Sequence, residues 1–367
     1  MRWDNLRPSG GPDDPQLSGE PAQNALFGVG EVVTRTFDTP EFRGMTFYEV
    51  RARSILNKVP SGSRMPFSWT VNPYRGCSHA CTYCFARNTH TYLDLDAGAD
   101  FDSKIMVKVN AAERLRTELA HPRWERFHVA MGTNTDPYQR AEGRYRLMPG
   151  IIRELGRSGT PFSILTKGTL LGRDVAELAA AADDVEIGLG MSIAHLDLTV
   201  HRLIEPGTPS PRARLELVRR LRAAGLPCGV FVAPVLPWLT DSTEQLDRLL
   251  AQIAAAGATG ATVLALHLRP GTKEWFLRQL GRHHPELVPR YQQLYARGSQ
   301  AGGGYRQRLA DRVAPLLRRH GLDRRTPERR SRRLAEGVRR WPSGMLPSSR
   351  ALAAGDRGVP GEQLTLL

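Results

Sequence analysis

The chain has 367 residues, with 51 basic against 37 acidic side chains, a formal net charge of +14, 41% hydrophobic residues and 24% charged residues. These values exclude collagen-like, coiled-coil and wholly disordered classes and leave a folded protein large enough for one substantial core with appendages. No apolar run approaches the roughly 18 residues of a spanning helix, and the opening MRWDNLRPSGG lacks the apolar core of a secretory signal, so no membrane association and a cytoplasmic location are expected.

Residues 1 to about 25 are rich in Gly, Pro, Asp and Ser and read as disordered. From about Phe67 onward, short β-rich runs alternate with longer helical patterns. The runs are SWTVNPY, RFHVAMG, FSILTK, DVEIGLGMSI, CGVFVAPV and ATVLALHL. Between them lie RDVAELAAAA, SPRARLELVRRLRAAG and STEQLDRLLAQIAAAG, whose apolar spacing suits amphipathic helices that stop at Gly. In the second of these, Leu215, Val218 and Leu221 form the stripe and Gly225 the stop. Near-continuous apolar strands separated by helices imply a parallel sheet covered on both faces, an α/β fold. Six βα units are too few for an eight-unit barrel and suit either an open doubly wound sheet or an incomplete barrel. In both, functional groups gather at the carboxyl ends of the strands, where Asn134, Asp136, Lys167, Ser192, Thr240 and Asp241 occur.

The strongest chemical signal is VNPYRGCSHACTYCFAR, which sets Cys77, Cys81 and Cys84 in a C-x3-C-x2-C spacing directly after the first expected strand. Four cysteines in the whole chain are too few for a disulfide framework, so this crowding points to a metal. Three thiolates on an iron-sulfur cubane leave one iron without a protein ligand. A closed zinc site would need a fourth ligand, which His79 or His90 could supply. The spacing leaves both open. Cys228, at the start of the fifth strand, reads as a buried small hydrophobe.

At these residues the chain resembles the radical S-adenosylmethionine (radical SAM) superfamily, whose CxxxCx-aromatic-C signature has Tyr83 as its aromatic here. NPYRGCSHACTYCFARNTHTYL, MGTNTDPYQ, LTKGTLL, the EPGTPSPRARL run and GVFVAPVLPWLTDS are similar, in that order, to the spore photoproduct lyase-related branch, and within it to an actinobacterial radical SAM family. The resemblance spans roughly residues 45 to 320 and implies a partial (β/α)6 TIM-like barrel. The expected organisation is an N-terminal extension over 1–45, a radical SAM core over 46–280, a helical segment over 281–320 and a basic disordered tail over 321–367. The resemblance implies a [4Fe-4S] cluster on Cys77, Cys81 and Cys84, with S-adenosylmethionine chelated to the unique iron. Reductive cleavage would then yield a 5′-deoxyadenosyl radical that abstracts hydrogen from substrate, fed by an electron donor such as flavodoxin or ferredoxin. MGTNTD stands where the superfamily carries a GGE-like segment; Gly132 survives from it, and Thr133, Asn134 and Asp136 are expected to make its hydrogen bonds. Lys167 and Ser192 match positions that contact the ribose and carboxylate, and Tyr83 and Phe85 lie beside the adenine. Trp238 stands where relatives often have Gly.

The expected substrate is a damaged nucleobase in DNA. The rivals are radical chemistry on a peptide or small metabolite, and a zinc-stabilised nucleic-acid-binding module without catalysis. From Arg306 onward the chain carries 15 Arg, no Lys and 6 acidic residues, a basic stretch able to hold DNA phosphates. Gln363-Leu364-Thr365-Leu366-Leu367 resemble the short peptides by which bacterial repair and replication proteins dock on the sliding clamp.

Overall fold

The computed structural model describes residues 6–8, 32–60 and 65–323. Its strands are β1 (Leu6–Pro8), β2 (Val33–Arg35), β3 (Thr46–Ala52), β4 (Leu56–Lys58), β5 (Trp69–Val71), β6 (Tyr74–Arg75), β7 (Lys104–Lys108), β8 (Val129–Met131), β9 (Phe162–Thr166), β10 (Ile187–Ser192), β11 (Cys228–Val235) and β12 (Ala261–Ala265). The larger sheet runs β12-β11-β10-β9-β8-β5-β4. Its strands β5, β8, β9, β10, β11 and β12 are mutually parallel, and β4 pairs antiparallel with β5 at one edge. The six parallel strands are the six apolar runs of the sequence. The sheet stays open between β12 and β4, the form of an incomplete (β/α)6 barrel.

Burial explains why the runs are apolar throughout. Every residue of β10 is buried, because Gly190 and its neighbours are sandwiched between β9 and β11 with helices across the faces. The helix Leu147–Arg157 covers the sheet with Met148, Ile151, Ile152 and Leu155. The helix Pro211–Ala223 begins at Ser210, whose side chain accepts from Ala213 N at 3.2 Å, and buries Leu215, Val218 and Leu221. It ends before Gly225, which takes φ +75°, the left-handed stop that the sequence implied. Ser242 and Gln245 close a reciprocal capping box on the helix Thr243–Ala255. The helix Gly303–Arg319 adds Leu309, Val313, Leu316 and Leu317 to the same core.

Two features differ from the linear reading. The first expected strand, SWTVNPY, splits at Pro73: β5 stays in the large sheet while β6 crosses into a second sheet. Pro73 cannot donate to a ladder, so pairing breaks there. The second sheet runs β1-β3-β7-β6 with β2 also on β3, so β1 and β2 bring backbone from the segment 1–45 onto β3. Its apolar face, with Phe42, Phe47, Tyr74, Ile105 and Val107, forms a separate small core beneath the cysteine segment. No helix among the described residues is long and apolar enough to cross a membrane. The Arg-rich stretch beyond residue 323 and Gln363–Leu367 lie outside the described residues.

The capping box gives a first test of this architecture. Ser242→Ala removes a side-chain acceptor from one helix start and is expected to cost about 1 kcal/mol. Thermal unfolding checks it, with the midpoint falling by about 2 °C.

Candidate active site

The segment from Gly76 to Cys84 follows β6 and is held through its backbone and through the side chains of Ser78, His79 and Tyr83. Gly76 takes φ +81°, and a Cβ there would approach the Lys104 carbonyl oxygen to 2.9 Å. Its own carbonyl accepts from Thr135 Oγ1 at 2.7 Å and Gln139 Nε2 at 3.0 Å, while Gln139 Oε1 accepts from Ser78 N at 2.9 Å. The fully buried Gln139 amide therefore clamps both sides of Cys77. Arg87 is equally buried; its Nε and Nη2 donate to the Cys81 carbonyl at 3.1 and 2.9 Å, and Nη2 also meets Asp102 at 2.8 Å. Thr272 Oγ1 donates to the Cys84 carbonyl at 3.1 Å. Gly207 presses against the loop so closely that a Cβ would lie 2.0 Å from the Ser78 carbonyl oxygen. These contacts leave all three sulfurs uncommitted to a disulfide.

Across the cavity, Gly132 ends β8 at φ +88°, where a Cβ would overlap the Leu165 carbonyl oxygen at 1.9 Å. Only glycine lets β8 and β9 approach here. The carboxylate of Asp136 is consumed: it accepts from Thr166 Oγ1 at 2.5 Å, Lys167 N at 2.7 Å and Tyr138 N at 2.9 Å, and pairs with His79 Nδ1 at 3.2 Å. Burial would raise this carboxyl, but His79 and the donated hydrogen bonds outweigh it and hold it at about 2. Thr133 Oγ1 and Asn134 N both donate to Asn72 Oδ1 at 3.3 Å, tying the strand end to the split in β5–β6. Lys167 Nζ donates to Ser192 Oγ at 2.7 Å and sits 5.7 Å above the Tyr83 ring.

Beneath these groups lies a buried ion pair that sequence reasoning did not single out. Glu205 has no exposed surface; Arg214 Nη2 donates to it at 2.5 Å, Tyr83 donates its hydroxyl to it, and Lys167 Nζ stands 3.9 Å away. Arg214 also donates to the Ser192 carbonyl at 2.8 Å and to Thr208 Oγ1 at 3.1 Å. Burial pushes the Glu205 carboxyl up, but Arg214, then Lys167 and His195, overcome this and hold it below the usual carboxylate range. Both residues belong to the EPGTPSPRARL run, and the spacing Glu205 to Arg214 was the available signal.

One cavity of about 190 Å³ is lined by every candidate residue: Cys77, Cys81, Cys84, Tyr83, Phe85, Gly132, Thr133, Asn134, Asp136, Lys167 and Ser192. That volume is more than ten times the roughly 10–15 Å³ one water needs. The cavity is therefore sized for a ligand of many atoms. Phe231, Leu264 and Leu266 supply apolar wall, and His79 and His267 also reach it. Five residues named in the sequence reading fall elsewhere. Thr240 accepts from Leu236 N at 2.8 Å and Asp241 from Trp238 N at 2.9 Å, so both shape their loop. Cys228 is buried in the main core, where burial pushes its thiol up to about 12. His90 Nε2 contacts the Lys104 carbonyl at 2.9 Å, with its ring edge-on to Phe101. Trp238 takes φ +63°, a conformation that glycine adopts more readily, and it is not part of the cavity lining.

The family model of the Radical SAM superfamily matches residues 71–250. Uncharacterized proteins of Mycobacterium tuberculosis (strain H37Rv) and Mycobacterium bovis are 57% identical over 83% of this chain and 91% of their own length. The chain belongs to the radical SAM superfamily. A solved variant of spore photoproduct lyase shares the fold with a TM-score of 0.52, at 14% identity, over 74% of this chain and 78% of that one. This radical SAM enzyme works with the superfamily's cofactors, a [4Fe-4S] cluster and S-adenosylmethionine, and like other members takes electrons from a reductant such as flavodoxin or ferredoxin.

The donor set fits such a cluster. Burial is the largest influence on all three thiols and pushes Cys77, Cys81 and Cys84 up, so a metal in direct contact is what would keep them as thiolates. Sulfur donors of this softness suit iron-sulfur chemistry.

The ion pair supplies a test of how the site is supported. Glu205→Gln leaves Arg214 buried without a counter-charge and is expected to cost about 3–5 kcal/mol. The combined change Glu205→Gln with Arg214→Met is expected to recover part of that loss. Thermal melts of the two variants make the comparison.

Proposed function

We propose that this radical SAM enzyme carries its cluster on Cys77, Cys81 and Cys84, binds S-adenosylmethionine in the adjoining cavity and acts in a lyase-like manner on a damaged nucleobase in DNA. The observation that carries the reading is that three cysteines, Cys77 and Cys81 buried and Cys84 partly so, line one cavity together with the Lys167–Ser192 pair. When reduced, the cluster supplies the electron that cleaves S-adenosylmethionine and starts hydrogen abstraction from substrate. The chain's own residues do the positioning. Lys167, braced by Ser192 and by the Glu205 charge behind it, presents a cation to the methionine carboxylate. Asn134, exposed at the cavity edge, offers an amide to the methionine amino group. Tyr83 and Phe85 flank Cys84 as a wall for the adenine, and the apolar faces of Phe231, Leu264 and Leu266 keep water from the reactive space. Asp136 acts indirectly, holding His79 and the Lys167 backbone in place.

The choice of a nucleobase rests on three supports: the fold likeness to spore photoproduct lyase, the motif resemblance, and the net charge of +14 with its Arg-rich stretch. DNA held by that stretch, and a sliding clamp met through Gln363–Leu367, are the partners this reading implies. A cytoplasmic location accords with its need for a soluble reductant.

Replacing any one of Cys77, Cys81 or Cys84 by Ala is expected to abolish both cluster iron and 5′-deoxyadenosine formation, whereas Cys228→Ala keeps both. Iron analysis and chromatography after anaerobic reconstitution and reduction read the outcome. If Cys228→Ala alone removed the iron, the ligand assignment would be wrong.

Deleting residues 321–367 removes 10 Arg against 5 acidic residues. DNA binding is expected to weaken for every sequence alike, with each lost phosphate contact flattening the log-log salt dependence by about 0.9. Fluorescence anisotropy across a salt series measures the slope. An unchanged slope would show that this stretch does not contact the backbone.

A further inference from the structure

Arg269 stands out among the arginines near the cavity because its charge is not used. Arg87 and Arg214 are almost wholly buried, and each is matched by a carboxylate and by backbone carbonyls. In Arg269, Nε and Nη2 are buried and have no hydrogen-bond partner among the described residues, and no carboxylate pairs with it there. These two nitrogens form one edge of the guanidinium, the edge whose parallel N–H groups fit two oxygens of a single oxyanion. The guanidinium carbon lies 5.1 Å from the centroid of Phe85, which fixes the group beside a cavity wall.

Arg269 stands behind the Phe85 wall, and two residues away His267 lines the cavity itself, its Nε2 likewise buried without a partner among the described residues. Burial, with Arg269 adding to it, pushes this imidazole down to about 4, so it is neutral near pH 7 and offers either a donor or an acceptor. The positions follow from the fold, since both residues lie just beyond the carboxyl end of β12, where sheets of this kind present ligand-binding groups. Unmatched buried donors are costly, and a guanidinium more so than a neutral amide. An arriving anion removes that cost.

We propose that Arg269 and His267 form a subsite for a phosphate group of the substrate, with the Arg269 edge gripping two phosphate oxygens and His267 contacting a third or the adjoining sugar. The proposal rests on the nucleic-acid reading above and narrows it: the enzyme recognises a nucleotide through its backbone phosphate next to the reacting base. A carboxylate-bearing peptide would need the same fork and is the alternative that the test separates.

The experiment uses the full chain, anaerobically reconstituted and saturated with S-adenosylmethionine, titrated calorimetrically with thymidine 5′-monophosphate, thymidine, inorganic phosphate and acetylated aspartate. The monophosphate is expected to bind about tenfold or more tightly than the nucleoside, and Arg269→Ala to bring that ratio to about one. Arg269→Lys keeps the charge but loses the fork and is expected to recover only a minor share. His267→Ala reduces the ratio less than Arg269→Ala does. Circular dichroism and iron content confirm that each variant is folded and loaded. A ratio unchanged in Arg269→Ala overturns the subsite, as does Arg269-dependent binding of acetylated aspartate with none of phosphate. Arg269-dependent binding of inorganic phosphate without binding of either thymidine compound upholds the subsite and removes the nucleobase reading.

Discussion

A loop that offers three sulfurs to a cluster cannot also use them to hold itself together. Gly76–Cys84 meets this constraint by being anchored through its peptide groups and through its non-cysteine side chains His79 and Tyr83. Gln139 grips the backbone on both sides of Cys77, Arg87 the Cys81 carbonyl, and Thr272 the Cys84 carbonyl. The anchors must be buried, because water would compete for the same carbonyls, and buried anchors must in turn be satisfied. This is why Arg87 needs Asp102 and the carbonyls of Ala97 and Gly98, and why it lies between the rings of Phe101 and Trp275. Much of the second sheet and of the helix beginning at Thr272 is explained by this requirement.

The opposite wall solves a related problem. Lys167 faces the cavity, and its ammonium there is accompanied by a carboxylate on the side away from the cavity. Glu205 supplies a fixed negative charge behind it, and Arg214 keeps Glu205 ionised. Tyr83 donates to the same carboxylate, linking the cysteine loop to β9 and β10 through one shared acceptor.

The sheet was readable from sequence because strands buried on two faces must be apolar for their whole length, and β10 and β11 are. The cysteines, Gly132, Lys167 and Ser192 were readable because their chemistry or position relative to a strand is distinctive. Gln139, Thr272, Arg87 and Glu205 were not. Their work depends on partners as far as 188 residues away, and nothing in their local spacing reveals a carbonyl waiting across the fold. The second sheet was missed for a similar reason: β6 is two residues long, and its separation from β5 is set by Pro73 and by strands that pair across the chain.

The bond from Thr272 to the Cys84 carbonyl fixes when the loop acquires its final shape as well as where it sits. During synthesis the three cysteines leave the ribosome well before Gly207 and Thr272, so for most of translation the thiols sit on a segment lacking two of its supports. A contact this distant closes a long loop of chain, which costs more entropy than pairing neighbours does. Metal loading and chain completion are thereby linked, because only the finished chain presents the cysteine loop with its Gly207 and Thr272 supports in place.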